Sequence, residues 1–317
     1  MRLSVIIPIK NGAAFIADTV RELQRVQVEF ELIIVNDGST DDTLKVIAAC
    51  AGDDSRIQVV DNPGTGKVQA LNYGFSLTQG AVIKCIDGDD ILVHGYIDDL
   101  ASFAVDEAEC HDLQLTNAVL QPIGQYTVNP RIISASRRQA MEHLVSLPRC
   151  SWTFPRELAQ HIFPMPVDLP FEDVWFSLVL KRYAGSIRHR TGLCYQYRQH
   201  GDQTYGGILN QSREKVTFRA KRMLRLIEVL TRESARLQPE DIHLDTSFAS
   251  QARYWELLAQ DRVSTWAILS SGLPWSSRGK LILFRRIPWF LPFIIRGKYR
   301  LDKIRLGLLG RRRQVVQ

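Results

Sequence analysis

The stretch Ala81-Val-Ile-Lys-Cys-Ile-Asp-Gly-Asp-Asp90 sets a short apolar run against three carboxylates in four positions. A run such as Ala81–Ile86, apolar without alternation, is what a strand covered on both faces requires. Asp87, Asp89 and Asp90 then fall just beyond its carboxyl end, with Lys84 the one adjacent base. On a solvated turn such crowding is cheap. At the end of a buried strand it calls for a counter-charge, and hard oxygen ligands suit Mg2+ or Mn2+ together with substrate phosphates.

Working outward, the flanking sequence repeats the pattern. Leu3–Ile9 and Glu31–Asn36 are buried-strand runs, and Ile57–Val60 is a shorter one. Between them lie helical segments: Ala13–Val26, with Phe15, Ile16, Thr19, Val20 and Leu23 on one face; a second through Cys50, capped by Asp41 or Asp42; and Lys67–Thr78. Strand–helix alternation at this spacing predicts βαβ units, a mainly parallel sheet and right-handed crossovers. Ligands gather beyond the carboxyl ends of such strands. The residues there are Pro8, Lys10 and Asn11 after the first strand, Asn36 to Ser39 after the second, and the Asp87–Asp90 cluster after the fourth.

The composition agrees with an enzyme-sized α/β protein. The chain has 317 residues, 45% apolar and 23% charged, which excludes collagen, coiled coil and wholesale disorder. Five scattered cysteines, without a CxxC pair, argue against a disulfide framework or a structural zinc site and fit a reducing compartment. No secretory signal is expected, and no apolar run reaches the roughly 18 residues that a spanning helix needs.

Beyond residue 105 the pattern loosens. Leu113–Leu120, Gln125–Val128 and Cys194–Arg198 read as strands; Arg137–Leu147, Phe171–Tyr183, Arg213–Leu237 and Phe248–Ser270 read as helices. Asn62-Pro-Gly-Thr-Gly-Lys67 lacks the GxxxxGK[ST] spacing of a P-loop, but its glycine turn can bring Lys67 to a diphosphate. Trp152 and Trp175 are read as core or acceptor-wall residues.

Taken in order, Ser4–Pro8, Val35–Asp42, Gly66–Gly74, Asp87–Asp90, Phe171-Glu-Asp-Val-Trp175 and Tyr197-Arg-Gln-His-Gly-Asp202 resemble the nucleotide-sugar domain of family 2 glycosyltransferases. The resemblance implies a GT-A fold and inverting transfer from a nucleotide sugar, by family habit a UDP-sugar. It implies that Pro8, Lys10 and Asp37 line the nucleotide pocket, with Asp37 facing the base, and that Lys67 approaches the diphosphate. Asp87 and Asp89 match the D-x-D element, with Asp90 able to replace either. Asp173 matches the catalytic base, and His200 a histidine that completes a metal site with Asp89, the ion being Mn2+ or Mg2+. The plainer reading of Glu172 and Asp173 is a pair of acids at a helix N-terminus, and of His200 an ordinary surface histidine.

One carboxylate suffices for such chemistry, because an acceptor hydroxyl must lose one proton as it attacks the anomeric carbon. A sugar-phosphate nucleotidyltransferase would need a glycine-rich, basic first loop, for which Lys10-Asn-Gly12 is sparse. A non-catalytic nucleotide-sugar-binding protein would have no use for Asp89, Asp173 and His200 together.

Charge is unevenly spread. Residues 278–317 hold twelve Lys/Arg and one acid, a net +11, so the rest of this +6 chain sums to −5. Ile287–Ile295, with Trp289 and Phe290, sits between arginine clusters, a pattern suited to an anionic membrane surface rather than to nucleic acid. The expected parts are 1–105 (nucleotide-sugar half), 106–210 (acceptor half with the base), 211–272 (helical) and 273–317 (membrane-associating tail). The helices either cover the acceptor or form a homodimer contact. The expected acceptor is a saccharide or lipid-linked molecule in cell-surface polysaccharide or lipopolysaccharide synthesis, and the expected place is the cytoplasm, peripheral on the inner face of the cell membrane.

Overall fold

The computed structural model describes residues 2–98, 103–144, 146–200, 213–237, 244–260 and 262–286. They form two units, one of residues 2–200 and 229–237, the other of residues 213–228 and 245–286. The expected tail element Ile287–Ile295, like Gly201 and Asp202, lies outside the described residues.

The first unit holds the strands β1 (Leu3–Ile9), β2 (Phe30–Asn36), β3 (Ile57–Asp61), β4 (Val82–Cys85), β5 (Ile91–Leu92), β6 (Glu107–His111), β7 (Leu113–Thr116), β8 (Pro122–Tyr126), β9 (Trp152–Pro155), β10 (Ser186–Arg190) and β11 (Tyr195–Arg198). Seven of them build one sheet in the order β10-β6-β9-β4-β1-β2-β3. All its pairings are parallel except those of β9, which runs antiparallel to both β4 and β6. The halves expected at 1–105 and 106–210 therefore share one sheet. A four-stranded sheet, β5-β11-β7-β8, lies beside it in the chain's order of elements.

The continuous apolar runs explain the central strands. β1, β2 and β4 are buried along their whole length. Helix Ile16–Gln24 buries Ile16, Thr19, Val20 and Leu23, the stripe expected from its spacing. Register then fixes where the functional ends fall. Ile9 is opposite Asn36 and Asn36 opposite Asp61, so Lys10, Asp37 and Asn62 emerge on one rim. Ile6 is opposite Cys85, which sends Asp87 to that rim as well.

At the opposite end the buried Glu31 gathers the chain. Its Oε1 accepts hydrogen bonds from Ser4 Oγ (2.5 Å), Gln79 N (2.5 Å) and Gly80 N (2.9 Å), and Oε2 pairs with Arg2 at 2.8 Å. Burial opposes the charge, yet these donors hold the carboxyl below its usual range.

Several predicted elements are shorter, each for a local reason. The helix from Arg137 ends at His143 because Leu144 turns left-handed, φ 46°. β7 stops at Thr116, where Asn117 Oδ1 accepts from Val119 N and Gln121 N and closes the hairpin to β8. The expected helix 248–270 is two helices, Leu244–Ala259 and Thr265–Leu269, because Ser264 Oγ caps Ala267 N at 3.0 Å. Helix Arg213–Arg232 likewise ends before a separate turn at Ser234–Leu237. All five cysteines are free thiols, and all but Cys50 are buried.

In the second unit Leu257, Leu258, Ile268, Leu273, Leu281 and Phe284 form a small core with Ala220. Helix Trp275–Arg286 is thus part of a packed unit, so the basic segment is not a free tail from residue 278 onward.

Gly80 is tightly enclosed: a Cβ there would lie 2.7 Å from Arg2 O and 2.8 Å from Ser4 N, both backbone atoms. Gly80→Ala is expected to destabilise the first unit by about 2 kcal/mol, read from the urea midpoint. An unchanged midpoint would contradict this packing.

Candidate active site

The acidic loop after β4 is held in place before any ligand arrives. Thr19 Oγ1, on the first helix, reaches both Gly88 O (3.0 Å) and Asp90 O (2.7 Å). Gly88 fits because a Cβ would press to 2.9 Å on Ile9 and 3.2 Å on Ile16. The glycine between Asp87 and Asp89 is therefore a packing requirement.

The three carboxylates do not share one counter-ion. Asp87 Oδ1 accepts from Lys67 Nζ at 2.8 Å and from Arg149 NH2 at 2.6 Å. Burial alone would raise its pKa, but Arg149 and then Lys67 outweigh that and hold it well below the carboxylate range. Asp89 Oδ2 meets His200 Nε2 at 2.9 Å. Asp90 turns inward: Oδ2 accepts from Tyr195 OH and Oδ1 from Arg198 N, both at 2.8 Å. Burial, with Asp89 and Asp87 close by, pushes its pKa well above the usual value. Asp90 is a structural carboxyl in this arrangement, and it faces β11 rather than the rim.

Lys84, the one base adjacent in sequence, plays no part in this compensation. It is wholly buried, with Nζ 2.6 Å from His111 Nε2 and donating to Cys150 O at 2.7 Å. Burial depresses its pKa to about 8 and that of His111 well below normal.

Arg149 takes over the role, and sequence reasoning missed it. The side chain is 2% exposed, and its Nε and NH1 have no hydrogen-bond partner among the described residues. It touches the acids of both halves. NH2 reaches Asp87, NH1 lies 4.0 Å from Glu172 Oε1, and its backbone N–H donates to Asp173 Oδ1 at 2.7 Å. Lys67 Nζ closes the circle 3.6 Å from Glu172. Burial opposes the Lys67 charge, but Asp87 and Glu172 keep its ammonium well above the ordinary range despite nearby Arg149. No motif flags Arg149, since its partner Asp87 lies 62 residues away.

Glu172 and Asp173 open helix Glu172–Tyr183, neither making a side-chain cap. Burial, and then the Glu172 charge, pushes the Asp173 carboxyl up to about 6, against the pull of Arg149. A carboxylate raised this way is a stronger base than an ordinary one while still largely ionised near neutrality.

Asp37 lies on the same rim, just past β2. Its Oδ1 accepts from Asn62 Nδ2 (2.7 Å) and Gly66 N (2.8 Å), which ties the second strand to the turn before Lys67. Asn11 clips the first loop to the same place, its N–H donating to Ser39 Oγ and its Oδ1 accepting from Thr40 N. Lys10 is exposed on this rim, and Pro8 is buried within β1 opposite Val35. Trp152 and Trp175 are core residues, 1% and 0% exposed. The helix after β2 starts at Thr43, and Asp41 rather than Asp42 accepts from Thr43 N.

A resident metal must be judged on its donor set. Among the described residues there is no group of three His, Cys, Asp or Glu side chains placed to hold a metal ion. The pair Asp89–His200 remains, one hard oxygen and one imidazole nitrogen. Two such donors suit an ion whose other positions go to phosphate oxygens and water, as Mg2+ or Mn2+ prefers.

Comparison with known proteins shows the family and the fold. The family model described as glycosyl transferase family 2 matches residues 4–163, half of the chain. Chondroitin synthase of Pasteurella multocida is 27% identical over 209 residues, covering 64% of this chain but 21% of the synthase, so the chain spans about a fifth of that relative. Two solved structures share the fold. Staphylococcus aureus TarS 1–349 with UDP-GlcNAc has a TM-score of 0.52 at 16% identity, covering 90% of this chain and 88% of that 1–349 chain. A mannosyltransferase of Pyrobaculum calidifontis with GDP-Man and Mn2+ also scores 0.52, at 15% identity, covering 96% of this chain and 80% of its own. The mostly parallel α/β arrangement is the GT-A fold.

Arg149→Met would leave Asp87 and Glu172 with Lys67 alone. Breaking a buried pair by removing one partner costs about 3 kcal/mol, and a urea titration is expected to show a loss of that size. A loss below about 1 kcal/mol, the usual size for an exposed ion pair, would show that Arg149 does not carry the compensation.

Proposed function

The chain belongs to glycosyl transferase family 2, and on that premise we propose that it is an inverting glycosyltransferase using a nucleotide-sugar donor, a UDP-sugar in the first instance. The observation that carries this reading is the pairing of a raised carboxyl, Asp173, with a cation-bearing rim through a single residue, Arg149. The donor's nucleotide lies along Pro8, Lys10 and Asp37, and its diphosphate lies toward Lys67, Asp87 and Asp89. Asp89 and His200 would hold a Mn2+ or Mg2+ ion, which when bound would supply positive charge to that diphosphate.

The acceptor hydroxyl gives its proton to a carboxylate oxygen of Asp173 as its oxygen bonds the anomeric carbon from the face opposite the leaving group. The bond from that carbon to the diphosphate oxygen breaks, and the electron pair leaves with the nucleoside diphosphate. Lys67 stabilises the growing negative charge. No nucleophilic carboxylate is required, because the configuration inverts in one displacement. The acceptor is a saccharide or lipid-linked molecule of cell-surface polysaccharide synthesis, reached by peripheral attachment to a membrane through the basic region from residue 278. The charge of that region supports the attachment, and no helix among the described residues is long and apolar enough to cross a bilayer.

Asp173→Asn should lower transfer about 1,000-fold, the scale of a lost general base, while donor binding survives. A thermal-shift panel of nucleotide sugars with and without Mn2+ reads the binding, since a true donor stabilises the folded state by mass action. Turnover near the parent rate would remove Asp173 from the mechanism, and silence across the panel would remove the donor assignment.

Because Asp173 must be ionised to act and its pKa is pushed up to about 6, activity should fall as pH drops through that value. Glu172→Gln removes a charge that raises it, so the acid limb of kcat/KM should move to lower pH. An unmoved limb would assign it to another group.

A further inference from the structure

The second unit carries an apolar surface that its own core does not use. Helices Thr265–Leu269 and Trp275–Arg286 and the turn between them direct Ile268, Leu273, Leu281 and Phe284 inward. On the outside, Trp266 and Trp275 are 75% and 74% exposed, and Leu269 and Leu283 are also open to solvent. The two helices are stapled by cations: Arg286 NH2 donates to Thr265 Oγ1 at 3.0 Å, and Arg278 NH1 donates to Leu269 O at 2.8 Å. The Arg278 guanidinium lies over the Trp275 ring at 4.5 Å. A packed unit that leaves two indoles and two leucines in water presents apolar surface to the solvent.

The charge of the same segment selects what meets it. Residues 262–286 contain five Lys/Arg and no Asp or Glu, and residues 287–317 add eight more with a single acid. Indole rings favour the boundary between headgroups and acyl chains, and cations beside them meet anionic lipid. We propose that the helix pair Thr265–Leu269 and Trp275–Arg286 docks on an anionic phospholipid surface, with Trp266 and Trp275 entering the headgroup layer. This rests on the membrane-proximal reading above and adds the inserting residues. It moves the contact from a basic tail to a folded element.

Sedimentation of the full chain with vesicles tests it. Vesicles of phosphatidylglycerol and phosphatidylcholine in equal parts should take up the protein, whereas phosphatidylcholine alone should not. The double variant Trp266→Ser/Trp275→Ser, whose thermal melt should match the parent because both side chains are exposed, should bind the anionic vesicles about 10-fold less well. A variant that binds like the parent overturns the insertion while leaving membrane attachment to the remaining basic residues. A parent chain that ignores both vesicles overturns the inference and the membrane reading together. A parent that self-associates and a variant that does not, with equal vesicle binding, would assign the surface to a second copy and also overturn the inference. If the double variant fails to fold, quenching by bromine-labelled anionic lipid in a Trp289→Phe chain decides instead: quenching is expected, and its absence overturns insertion. Donor-induced thermal shifts without lipid report on the glycosyltransferase reading separately.

Discussion

The guanidinium of Arg149, held between Asp87 and Glu172, is the interaction on which the rest of the first unit's chemistry depends. It is almost wholly buried, and so it offsets carboxylates where water cannot. Its side chain serves the acid after β4 and its backbone N–H serves the acid that opens helix Glu172–Tyr183. The rim beyond β4 and the start of helix Glu172–Tyr183 are thereby held at one residue. Two of its donors, Nε and NH1, remain without hydrogen-bond partners among the described residues.

The sheet gives that residue its setting. β1, β2 and β3 end in register, and the loops that follow are cross-tied by Asn11, Asp37 and Asn62. β9, antiparallel between β4 and β6, directly follows the turn Arg149–Ser151 and brings it against the end of β4. Lys84 holds the same turn from beneath through Cys150 O. A single reversed strand in an otherwise parallel sheet is what lets a residue far along the chain reach the first acidic loop.

Much of the first hundred residues was legible because burial on both faces leaves an unmistakable pattern. Leu3–Ile9 and the helix stripe from Ile16 to Leu23 stand as read. β6, β9 and β10 escaped notice. Glu107-Ala-Glu-Cys-His111 and Ser186-Ile-Arg-His-Arg190 put charged residues into strands, and these are satisfied by each other: Arg188 and Arg190 both bond Glu109. No local rule announces such a pairing. The acidic cluster is visible from its charge, but its protein partners are not. The sequence offers Lys84 next door, whereas the fold supplies Lys67 and Arg149 from elsewhere and keeps Lys84 for the core. The roles of Pro8, Lys10, Asp37 and His200 rest on resemblance, since hydrogen bonds alone do not identify a ligand.

The inward turn of Asp90 bears on how lesions in this loop should be interpreted. Its carboxyl fastens the loop to β11 at Tyr195 and Arg198, two residues short of His200. Loss of that carboxyl would slacken the seat of Asp89 and the approach of His200 at once. An inactive enzyme altered at this position would mimic a chemical defect while its cause was mechanical, and three adjacent acids that look interchangeable on paper would fail for three different reasons.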